Sequence, residues 1–246
     1  MKKLFSLIFI SVFSLTLMSA HHEGGHEKAA KKFENNFAYM STYTMPAGSY
    51  ADRIAKSLLE NVKSLEEDGY NVCGLLRHQF GSDRAFYSYC YFDSWEQFSK
   101  INDNAEPASR EPKQLYGNHS DNLVAIMEKN LTKRTQYILM ATYEFAPYLT
   151  DNEKRANANI LFSAYDRAFE GCNLMEHFWG PEQAWYFVCG YQSYADFGQK
   201  TAALGEIHEN ELADLKLDVL KHSDDLMIRV ESVSYTHLTL PTIYSV

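Results

Sequence analysis

The chain has 246 residues, of which 46% are hydrophobic and 22% charged, with a formal net charge of -9. That acidic balance argues against a nucleic-acid partner, because holding phosphates needs clustered lysine and arginine. Beyond the N-terminal segment, no apolar run approaches the roughly 20 residues needed to cross a bilayer, so no membrane span is predicted in the mature chain.

At the start, Lys2 and Lys3 precede an apolar run from Leu4 to Met18, and Ser19-Ala20 then meets His21-His22-Glu23. A basic tip, a short apolar core and a small residue at the exit fit a secretory signal peptide over residues 1–20. The alternative is an uncleaved N-terminal anchor. Cleavage after Ala20 predicts a periplasmic or secreted protein with a flexible, His-rich start over residues 21–35. His21, His22 and His26, together with the new terminal amine, could chelate copper or nickel. The simpler reading is a His-rich start without a metal role, and no metal site or cofactor is predicted.

The rest of the chain repeats itself. Phe37-Ala-Tyr-Met-Ser-Thr-Tyr43 returns as Tyr137-Ile-Leu-Met-Ala-Thr-Tyr143, and Cys73-Gly-Leu-Leu-Arg-His78 as Cys172-Asn-Leu-Met-Glu-His177. Gly81 and Gly180 follow each histidine at the same distance, and Ala85 to Cys90 returns as Ala184 to Cys189. Ser94 to Phe98 returns as Ser193 to Phe197, and His119-Ser-Asp-Asn-Leu123 as His222-Ser-Asp-Asp-Leu226. The order is kept at an offset of 99 to 103 residues, which suits a duplicated small domain rather than a solenoid. The copies span residues 36–131 and 135–231.

In the first copy, residues 37–45 read as an aromatic strand. Ile54, Leu58, Val62 and Leu65 lie at helical spacing, which predicts an amphipathic helix ending at Asp68-Gly69. Residues 72–80 and 85–92 form a hairpin around Gly81-Ser82-Asp83. Asp93 or Ser94 caps a second helix through Trp95, Phe98 and Ile101. Pro107 and Pro112 make residues 104–118 a loop, and Leu123 to Met127 is the last strand. The second copy predicts a strand over 137–145, a helix from Glu153 to Phe169 and a hairpin over 172–179 and 184–191. A second helical region then runs from Tyr194 to Leu204, extended by Leu215 to Leu220, before a strand from Leu226 to Val230. The linker is short, near Asn130 to Thr135. Ser234 to Val246 resembles translated adapter or vector sequence and is set aside; the alternative is a C-terminal strand.

The order β-α-β-β-α-β in each copy is the split βαβ arrangement, an α+β fold. With the duplication and the aromatic strands, it resembles the dimeric α/β-barrel superfamily of monooxygenase-like and stress-responsive proteins, over roughly residues 36–231. The resemblance implies two ferredoxin-like units whose sheets join into one barrel, here a pseudo-dimer within a single chain. The alternative is a pair of independent ferredoxin-like domains.

Cys73 and Cys90 are 17 residues apart, as are Cys172 and Cys189, and each pair flanks a predicted hairpin. Opposed strand positions bring β-carbons near disulfide distance, so Cys73–Cys90 and Cys172–Cys189 disulfides are predicted, with buried free thiols or a tetrahedral metal site as the alternatives. By alternation His78 and His177 point away from the cysteines, towards Tyr87 and Tyr89 in one copy and Trp179 and Tyr186 in the other. These are the candidate ligand-binding aromatics. The two histidines are the candidates for proton transfer, against a structural role. His119 and His222 head the repeated His-Ser-Asp segments, which read as capping turns rather than hydrolase triads.

Three functions fit, in this order. The first is an exported envelope protein binding a small apolar or aromatic molecule in a barrel cavity. The second is a structural or interaction protein without a ligand, and the third a monooxygenase-like enzyme using a histidine and a tyrosine.

Overall fold

Each copy alternates inward and outward side chains along four strands, so each makes a sheet with two apolar faces. In the computed structural model, which describes residues 33–103 and 115–231, helices cover one face and the other copy covers the second. The signal segment, His21, His22 and His26, residues 104–114 of the proline loop and the tail from Ser234 lie outside the described residues.

The first copy runs β1 (Phe37–Thr44), α1 (Ala51–Asp68), β2 (Cys73–Phe80), β3 (Ala85–Phe92), α2 (Trp95–Asn102) and β4 (His119–Lys129). The second runs β5 (Tyr137–Phe145), α3 (Asp151–Phe169), β6 (Cys172–Trp179), β7 (Trp185–Tyr191), α4 (Tyr194–Ile207) and β8 (Val219–Arg229). Neighbouring strands are antiparallel, in the closed order β1-β3-β2-β8-β5-β7-β6-β4. The copies meet at two seams, β2 on β8 and β4 on β6, so neither sheet keeps a free edge. Among the described residues no helix is long and apolar enough to cross a membrane.

Local signals set the helix ends. Ile54, Leu58 and Val62 are the buried stripe of α1, which stops at Gly69. Thr150 and Glu153 form a reciprocal capping box on α3, satisfying two otherwise orphaned backbone donors. Ser94 and Ser193 cap α2 and α4 from equivalent positions. The second helical region is longer in the second copy, 14 residues against 8.

Three expectations need correction. Leu215 to Leu220 is not helical: α4 ends in a π-helical turn over His208–Leu212, and Val219 and Leu220 already belong to β8. Asp218 makes the break. It sits at φ 47°, its carbonyl accepts from the Ala146 N–H, and its carboxylate accepts from the Tyr148 hydroxyl. The last strands are also longer than their apolar cores suggest, because His119 to Asn122 and Val219 to Asp225 pair with β1 and β5 despite their polarity. The His-Ser-Asp segments are therefore strand, not capping turns.

The hairpins rest on their glycines and cysteines. Gly81 and Gly180 lie at φ 125° and 135°, and a β-carbon there would stand 2.1 Å from the Asp224 carbonyl oxygen and 2.6 Å from that of Asp121. Each turn thus presses on the opening of the last strand of the other copy. Cys73 faces Cys90 and Cys172 faces Cys189 in register, with Cα separations of 4.1 and 4.4 Å, and both pairs are disulfide-bonded.

Gly81→Ala and Gly180→Ala should each cost about 2–3 kcal/mol in urea unfolding, from backbone strain plus displacement of the facing strand. Gly198→Ala, in α4 with open space around it, should be neutral or stabilising by up to about 1 kcal/mol. Thiol titration of unfolded, unreduced protein should find no free thiol among the four cysteines. Reduction should lower stability by about 3 kcal/mol for each hairpin loop.

Candidate functional site

The barrel interior divides along its axis. At the end where β4 hands over to β5, the linker folds back: Leu131 joins the interior cluster, and the Arg229 guanidinium donates to the Thr135 carbonyl and the Tyr89 hydroxyl. The Tyr89 ring lies over Gly74, where a β-carbon would be 2.4 Å from it. In the middle, Leu76, Ile138, Met140, Met175 and Met227 interlock and leave a void of about 50 Å³. The opposite end, where both hairpin turns emerge, opens into a cavity of about 290 Å³.

Two equivalent tyrosines frame this mouth, Tyr87 from β3 and Tyr186 from β7, with Met40 and Met140 among the lining side chains. Around them the copies differ. Ser82 donates from its backbone N–H (2.9 Å) and hydroxyl (2.7 Å) to the buried Asp225 carboxylate. The position equivalent to Asp225 is Asn122, also buried, whose side-chain oxygen accepts from the Glu182 N–H at 3.4 Å. The Tyr186 hydroxyl donates to Glu182 at 2.9 Å. Burial, reinforced by Asp225 and Glu182, pushes the Tyr87 phenol up to about 12, and burial and Glu182 raise that of Tyr186. Both phenols therefore stay protonated near neutral pH, and that of Tyr186 acts as a donor. Lys221 meets Glu144 at 2.9 Å on the rim.

His78 belongs beside this mouth. Its side chain is 10% exposed, and Nδ1 lies 3.6 Å from Asp225 Oδ1, too far for a hydrogen bond, and has no hydrogen-bond partner. His177 has a different neighbour: its Nε2 is 3.3 Å from the Gly180 carbonyl oxygen. Tyr89 belongs to the plugged end, and Trp179 is 74% exposed near the rim, so the structure brings together Tyr87 and Tyr186 but not all four candidate aromatics.

The repeated His-Ser-Asp segments build a second duplicated cluster, on the helix-facing side of the sheet. His119 stacks on Tyr43 with ring centroids 4.6 Å apart, and His222 on Tyr143 at 4.2 Å. Each histidine pairs with the aspartate two residues on, at 2.9 and 3.1 Å. Tyr39 and Ser41 donate to Asp121, while the Tyr165 hydroxyl lies 2.9 Å from that of Tyr143 and 3.4 Å from His222 Nε2. These pairs tie the first residues of β4 and β8 to their sheets.

Sequence reading missed Ser82, Asp225, Asn122 and Glu182. Their signal was present, since Ser82 and Glu182 sit in the hairpin turns and Asn122 and Asp225 are the differing residues of the His-Ser-Asp-Asn and His-Ser-Asp-Asp blocks.

No family model matches the sequence, and no curated protein matches it. Solved structures do match by shape. An anthrone oxidase-like protein superposes with a TM-score of 0.54 at 9% identity, covering 80% of this chain and 92% of its own. A candidate monooxygenase from Fusobacterium nucleatum gives 0.55 at 9% identity, covering 79% and 92%. At that identity the likeness shows the fold alone: this chain has the dimeric α/β-barrel fold, with both units supplied by one polypeptide.

Proposed function

We propose that this protein is an enzyme-like binder of a small organic molecule, which it holds in the open mouth of the barrel between Tyr87 and Tyr186. The observation that carries this reading is the contrast within one interior. The middle is filled with methionine and aliphatic side chains, while the mouth keeps about 290 Å³ lined by apolar Met40 and Met140 below and hydrogen-bonding groups around. Ligand pockets combine an apolar body with a few fixed polar groups in this way. The size is that of a compact ligand with one ring.

Catalysis of oxidase or monooxygenase type is the form of this reading that the shape neighbours favour, since one is an anthrone oxidase-like protein and another a candidate monooxygenase. Within the mouth, the polar groups that would meet such a molecule are Tyr87, Tyr186 and Asp225, with His78 beside Asp225. Export belongs to the same proposal. Two disulfides suit an oxidising compartment, and the N-terminal segment has the pattern of a signal peptide.

A fragment screen by NMR, with methionine methyl groups labelled, tests the location. Small aromatic fragments should shift Met40 and Met140, and Thr142→Trp, which fills the mouth, should weaken them at least tenfold. Fragments that bind only elsewhere would sink the proposal. Intact mass of protein recovered from the exported fraction should begin at His21; a mass beginning at Met1 would remove the cleavage part.

A further inference from the structure

The walls of the mouth carry charge of one sign. Asp83, Glu144, Glu182 and Asp225 line it, and Lys221 is the one basic side chain among the lining residues, already held by Glu144 at 2.9 Å. The hydrogen bonds to Asp225 and Glu182 come from neutral groups. Asp225 accepts from the Ser82 N–H and hydroxyl, and Glu182 accepts from the Tyr186 hydroxyl. Asp225 is 4% exposed, and the histidine paired with it, His78, stands 3.6 Å away, beyond hydrogen-bond distance. Beside it, the largely buried His78 side chain keeps a buried Nδ1 atom with no hydrogen-bond partner, facing that carboxylate. Buried polar atoms are normally satisfied, so an unmade bond next to a buried carboxylate points to a missing partner.

We propose that the mouth takes an organic cation, a small primary or secondary amine carrying an apolar or aromatic body. This rests on the mouth being the binding site. An ammonium group supplies the charge that Asp225 and Glu182 lack, together with several N–H donors for their oxygens. Tyr87 and Tyr186 line the mouth with aromatic surface, and Met40 and Met140 offer contact to the apolar body. A bare metal ion does not fit, because no three His, Cys, Asp or Glu side chains among the described residues are grouped to hold one. The net charge of -9 raises the local concentration of any cation near the mouth.

The test uses the full, oxidised chain and three probes of nearly equal shape: benzylammonium, benzyl alcohol and benzoate. Each is titrated while the Met40 and Met140 methyl signals are followed. Benzylammonium should bind at least tenfold more tightly than benzyl alcohol, and benzoate should not bind. The double variant Asp225→Asn with Glu182→Gln should abolish the preference for the amine over the alcohol. Both substitutions keep the oxygen that accepts from Ser82 or Tyr186, and asparagine already stands at the equivalent position 122. Circular dichroism and urea unfolding should confirm that the variant folds. Equal binding of the amine and the alcohol, tighter binding of benzoate, or a preference that survives the double variant would each overturn the proposal. So would magnesium chloride moving the same methyl signals at lower concentration than the amine. If benzyl alcohol shifts Met40 and Met140 without a charge preference, the mouth stands as the site and the cation falls. If none of the three probes moves those signals, both readings fall.

Discussion

Four-stranded sheets have two edges, and each edge strand carries a row of backbone donors and acceptors that must find partners or water. In this chain the edges of one copy are the partners of the other. β2 pairs with β8 and β4 with β6, and these two seams close the sheet into a barrel. The remaining features depend on that closure. It creates an interior that neither copy has alone, and it brings each hairpin turn against the last strand of the other copy, where Gly81 meets Asp224 and Gly180 meets Asp121. The aromatic residues outside the barrel repeat the exchange. Phe80 of the first copy lies 5.8 Å from Tyr194 of the second, and Phe178 of the second lies 5.1 Å from Trp95 of the first.

Closure also explains where a site can form. An eight-stranded barrel is just wide enough for side chains to fill it, so a cavity needs shorter or polar residues at one level. Here the large residues stand in the middle and the linker closes one end. At the other end β1 and β5 contribute Thr42 and Thr142, and the opening strands contribute Asn122 and Asp225. The duplication supplied two equivalent sets of groups, and they have diverged. One side now has serine and aspartate where the other has proline and asparagine, which gives the mouth a direction that a symmetric dimer would not have.

The architecture was legible because it is written twice. Repeated Tyr, Cys, His and Gly positions established the copies, and the cysteine spacing set the hairpin register that the disulfides occupy. Strand ends were less legible, because polar residues such as Ser120 and Asp224 pair through their backbones, which composition does not report. The site was legible only in part. Alternation indicated that Tyr87 and Tyr186 point inward, but not their depth along the axis. That depth depends on strand tilt and on bulges such as the one between His78 and Phe80. Trp179 shares the parity of Tyr186 in a one-dimensional reading, yet it follows an irregularity between Leu123 and Val124 and ends on the surface.

The central claim is that both copies share one core and fold as a single body. The chain's 3 tryptophans provide a local test, since Trp95 stands in the first copy and Trp179 and Trp185 in the second. With fluorotryptophan incorporated, urea unfolding can be followed by fluorine NMR at each residue separately. A shared core predicts that the native signals of Trp95 and Trp185 disappear at one midpoint with one slope. Two separated midpoints, with one copy native while the other is unfolded, would contradict it.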